Sequence, residues 1–177
     1  MSQPMTEPMS EPTPGAGSEG EHFAGYLAWM REELIAGVLR LSPEEQRTTR
    51  LASGWTPIEL LSHVVHMERR WLVWRFLGED VADPRGDWQG GVSGEGSRWE
   101  VAADVTAEDL ASRLRAIGAR VSELFTTVPL GTRAANLRDI DEEVPLDLRW
   151  LGFHVLTEYA RHAGHLDIVV ELAESST

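Results

Sequence analysis

An all-α fold, a four-helix bundle with long crossover connections, is predicted by three features of the sequence. Four stretches of about 20 residues carry apolar side chains at intervals of three and four, the period of one helix face. No stretch shows the strict alternation expected of a half-buried strand. The starts of these stretches hold side chains that cap helices.

Residues 1–20 combine Pro, Ser, Gly and Glu with nothing to bury, so a disordered tail is expected there, leaving 21–174 as the bundle domain. The first helix is expected over about 21–41, where Phe23, Tyr26, Leu27, Met30, Leu34, Val38 and Leu41 share a face. Ser42-Pro43-Glu44-Glu45 reads as the cap and first turn of a short connecting helix. Thr56 can cap the second long helix, Pro57 suits its first position, and Glu59 completes a capping box, with the helix running to about Leu77. The stretch from Gly78 to about Val105, rich in Gly, Asp and Ser, is long enough for a lid or crossover and contains Trp88 and Trp99. Thr106 and Asp109 open the third helix, whose apolar stripe runs from Leu110 to Val128. Residues 129–146 read as irregular, and Asp147 caps a fourth helix over about Leu148–Ala173.

Composition narrows the function classes. A net charge of -13 argues against nucleic acid and anionic membrane as partners, because phosphates call for a basic patch. No apolar run approaches the ~20 residues of a membrane span, and no signal sequence is visible, so a cytoplasmic protein is expected. Cysteine is absent, so a transition-metal site must be built from His and carboxylate.

Five of the six histidines fall on the second and fourth helices. Glu59, His63, His66 and Arg70 form one stripe; His154, Glu158, His162 and His165 form the other. On an ideal helix, Leu151, Val155, Leu166 and Val169 fall within about 80° of Glu158, whereas Arg149, Asp167 and Glu171 fall on the far side. The polar stripe is therefore expected in the middle of the core-facing surface. Burying such groups without partners costs several kcal/mol each, so something must offset it. Glu158 and His162, one turn apart, can aim two ligand atoms at one point, and a third ligand from the second helix would complete a site with open positions. A metal-free polar core, with the histidines satisfied by Glu158, Glu59 and Arg70, accounts for the same pattern.

Two segments resemble a known family. Gly54-Trp55-Thr56-Pro57-Ile58-Glu59-Leu60-Leu61-Ser62-His63 resembles the start of the second helix in the DinB-like four-helix metalloprotein superfamily. Leu148-Arg149-Trp150, His154 and the run Glu158 to Asp167 resemble the last helix of its mini-circle protein branch of unknown function. The resemblance implies a divalent metal held by His63, Glu158 and His162, the His, Glu, His set of the related mycothiol-dependent maleylpyruvate isomerases. Zinc is the expected ion, with nickel, iron or manganese also compatible with the donors. It further implies a metal-dependent enzyme, a thiol-dependent S-transferase or isomerase with mycothiol as co-substrate. A metal-dependent hydrolase and a non-enzymatic metal- or ligand-binding bundle are the alternatives. His66 and His165 are candidate proton carriers; Arg70 is a candidate anchor for a substrate carboxylate or an ion-pair partner of Glu59 or Glu158. His165 stands where Gln is common in the superfamily. Similar bundles often form homodimers, although no sequence feature here requires one.

Overall fold

Every long helix begins where a short polar side chain takes up backbone N–H groups that have no partner within the helix. The structure, a computed structural model, describes residues 10–15, 17–82, 84, 100–138 and 146–175. Helix α1, Glu19–Arg40, opens with a capping box between Ser18 and Glu21, which draws residues 19 and 20 of the expected tail into the helix. Part of that tail also packs on α1: Tyr26 donates to the Glu11 carboxylate at 3.2 Å, and Pro12 sits against Gly25. Residues 1–9 and 16 lie outside the described residues. A single 3-10 turn, Glu45–Arg47, follows.

Helix α2, Pro57–Glu68, has the Thr56/Glu59 capping box and is buried on nearly every side. The helical path continues to Phe76, but from Arg69 it widens into π-helical turns, a rare geometry. Within this widened segment the Arg75 guanidinium lies 4.7 Å from the Trp74 ring centroid and donates to the carbonyls of Asn136 and Arg138. Helix α3, Ala107–Thr127, starts from the Thr106/Asp109 box, and α4, Leu148–Glu174, from Asp147.

Helix α1 packs along α3 and α4, while α2 packs against α3 and α4. Leu27, Leu34, Ile35, Leu61, Leu114 and Val155 are among the side chains that fill the space between them. Two glycines permit close approach. A Cβ at Gly118 would stand 2.4 Å from the Arg31 guanidinium carbon, and one at Gly152 would stand 2.8 Å from the Phe23 ring.

The core also holds an ionic network. Arg31 of α1 donates to both Glu68 oxygens, at 3.2 and 2.6 Å, and Tyr159 of α4 donates to Glu68 at 2.5 Å. All three residues are buried. Charges this deep survive only when paired and hydrogen-bonded on the spot, so the network couples the register of α1, α2 and α4. The connection before α4 is pinned by backbone bonds: Ala134 donates to Leu146, and Leu148 to Thr132. Among the described residues, no helix is long and apolar enough to cross a membrane.

Candidate metal centre

Helices α2 and α4 bring three ligand-type side chains to one point. His63, Glu158 and His162 each offer one nitrogen or oxygen, and these atoms lie within 4.8 Å of one another. His162 follows Glu158 by one helical turn, which puts its Nε2 3.4 Å from Glu158 Oε2. The His63 and His162 rings meet edge to face with centroids 4.7 Å apart. Both histidines are buried, while the Glu158 side chain keeps 21% exposure.

That residual exposure corrects the sequence analysis. The buried side of α4 runs from Leu151 and Val169 through Val155, Leu166 and Tyr159 to Val170, roughly 20–120° around the helix from Glu158. The His/Glu stripe therefore lies at the edge of the core-facing surface, not in its middle. The consequence is chemical: the group has apolar packing on one side and an approach from solvent on the other.

Glu158 is held as a carboxylate. A hydrogen bond from His162 lowers its pKa to about 2, the charges of His162, His154 and Arg161 add to this, and partial burial opposes it. Two imidazoles and a carboxylate, with no thiolate, form a donor set suited to a divalent transition ion with open positions. Ligands held about 2.1 Å from one ion at tetrahedral angles stand about 3.4 Å apart. That is the separation of His162 Nε2 from Glu158 Oε2.

Residues 22–174 match the family model described as mycothiol-S-transferase. The chain belongs to the mycothiol-S-transferase family. The match covers the four helices apart from the first three residues of α1 and agrees with the DinB-like resemblance read from the second and fourth helices. No curated protein and no solved structure matches the chain.

In this member of the mycothiol-S-transferase family, aromatic groups flank the ligand cluster on both sides along α4. Toward the helix start, His154 stacks on Trp150 with ring centroids 5.1 Å apart, and Trp71 meets its edge at 4.4 Å. Burial first, then the charges of Arg70 and Arg161, lower the His154 pKa against the pull of Glu158. Arg70 is thus within electrostatic reach of this flank, and its guanidinium donates to the Pro84 carbonyl at 3.4 Å. Toward the helix end, His165 is exposed, its ring 6.2 Å from His162 and 6.4 Å from Trp55. His66 points elsewhere: it lines a cleft between α2 and α3, where Arg69 donates to its Nδ1 at 3.0 Å. Trp88 and Trp99, expected as a lid, lie outside the described residues.

Sequence reasoning missed Arg31, Glu68 and Tyr159. A signal was present, since Arg31 interrupts the apolar stripe of α1 between Leu27 and Leu34, and a charge there demands a buried partner.

Proposed function

We propose that this chain is a metal-dependent transferase joining the sulfur of mycothiol to a small electrophile, with His63, Glu158 and His162 as the metal ligands. The observation that carries the reading is the convergence of those three side chains at the solvent-facing edge of the core, in a chain of the mycothiol-S-transferase family. A divalent ion held there supplies the Lewis acidity that keeps a low-molecular-weight thiol as its thiolate at neutral pH.

The chain's own contributions follow from its side chains. Glu158, already ionised, needs no proton removed before it can coordinate. Trp150 and Trp71, with His154 between them, present an aromatic wall against which the apolar part of an acceptor can rest. Arg70 is the anchor for an anionic group on that acceptor. His165, exposed beside Trp55, carries the released thiol proton toward solvent.

Metal analysis of gently purified protein, set beside a His162→Ala variant, tests the ligands; equal metal in both would overturn them. Incubating the metal-loaded protein with mycothiol and an electrophile tests the reaction. A thioether formed only when protein and thiol are both present is expected. Hydrolysis of an ester or amide without thiol would move the assignment to a hydrolase.

A further inference from the structure

On another flank of α2 lies a cleft of about 460 Å³, open to solvent and bordered by α3 and by residues from the 100–105 segment. None of His63, Glu158 and His162 lines it. The reason is helical geometry. Ser62, Val65, His66 and Arg69 are spaced as one stripe of a helix, and on α2 that stripe is centred about 100° away from His63. This volume is within the range of small-molecule sites, and it is separate from the candidate metal centre.

We propose that this cleft binds a small organic carboxylate carrying an apolar body. Two arginines line it from facing elements, Arg69 just past the end of α2 and Arg113 on α3. Among the described lining residues the two arginines face one carboxylate, Glu100, which leaves a local excess of one positive charge in a chain of net charge -13. A guanidinium can only donate, so the Arg69 contact fixes Nδ1 of His66 as an acceptor and puts the ring proton on Nε2. His66 and Ser62 are polar members of the same lining. Acids also stand nearby among the described residues, and one of them, Asp104, lies exposed in the same 100–105 segment. Glu100 lies exposed at the rim. Asp109, one turn before Arg113, is engaged by the backbone N–H and hydroxyl of Thr106 at 3.1 and 2.9 Å and also feels the Arg113 charge. Val65, Leu110 and Ile117 supply apolar wall, which favours a carboxylate with a hydrocarbon body over a bare inorganic anion.

Hexanoate is the probe, titrated into the full chain after chelator treatment and followed by calorimetry, with hexylamine and inorganic phosphate as comparisons. Saturable binding of hexanoate is expected, weaker binding of phosphate and none of hexylamine. Arg69→Gln and Arg113→Gln are each expected to weaken hexanoate by roughly tenfold, the loss of one charge-assisted hydrogen-bonded contact. His162→Ala should bind hexanoate as the parent does. Arg113 is exposed on α3, so its variant keeps the test clear of folding defects. The proposal is overturned if hexanoate does not saturate, if hexylamine binds equally, or if Arg113→Gln binds as tightly as the parent. Loss of binding in His162→Ala with the arginines intact would also overturn it, placing the anion at the metal group. None of these outcomes bears on whether His63, Glu158 and His162 hold a metal.

Discussion

Glu68 and Glu158 are both carboxylates between α2 and α4, yet they end in opposite circumstances. Glu68 is fully buried and receives two N–H groups of Arg31 and the hydroxyl of Tyr159. Glu158 lies at the margin, with His162 at 3.4 Å and the Arg161 guanidinium at 3.8 Å. The first carboxylate has its lone pairs committed to fixed donors from two other helices, so it holds the scaffold. The second has partners on its own helix that a ligand can displace at small cost. A polar cluster becomes a site when its hydrogen bonds can be exchanged, and remains scaffold when they cannot.

Removing Glu68 tests this contrast with the largest expected effect. Glu68→Ala strands the Arg31 charge in the core and is expected to cost about 3–5 kcal/mol in denaturant unfolding. A cost near that of a surface substitution would show that the network is not structural. At the other carboxylate the effect should be on metal. His162→Ala, measured in chelator, should cost only the packing of one buried ring at the edge of the core, less than the loss from Glu68→Ala. The parent should gain about 2.7 kcal/mol from metal at a hundred times its dissociation constant, and the variant should gain none.

The pH dependence sharpens the comparison from both ends. Because the folded pKa of Glu158 is lowered from 4.5 to about 2, its contribution is complete above pH 4.5 and drains away as pH falls toward 2. Solvent screening holds that contribution to about 1 kcal/mol, and Glu158→Gln in metal-free protein should remove this part of the acid slope. Tyr159 behaves in the opposite sense. Burial first, then the Glu68 charge, raise its pKa well above 10, so stability is lost as pH rises beyond 10. Ultraviolet titration should show one tyrosine ionising only as the chain unfolds in alkali. The smallest effect is expected at an exposed pair: Arg120→Ala breaks the contact with Glu79 and should cost no more than about 0.5 kcal/mol.

The four helices were legible from local chemistry. Thr56 with Glu59, Thr106 with Asp109, and Asp147 each cap a helix at the predicted place, because capping involves residues at most three apart in the chain. The pairing of Glu158 with His162 was equally local, one turn of one helix. His63 as their partner rested on resemblance to a family, since spacing along one helix carries no information about which residue a second helix presents.

What the tertiary structure alone decided is where each stripe points. The sequence determined that polar stripes exist on α2 and α4, by a period that any helix must obey. It could not fix the direction of the bundle centre as seen from α4, which depends on how α1, α2 and α3 crowd against it. Hence Glu158 is at the edge of the core, His165 is exposed, and His66 faces α3. The widening from Arg69 onward was hidden for a similar reason. A π-helical turn differs from an α-helical one by a single hydrogen-bond step, and contacts such as those of Arg75 with Asn136 and Arg138, more than sixty residues away, accompany that choice. Short-range chemistry selects the elements, and long-range packing decides which of their residues become a site.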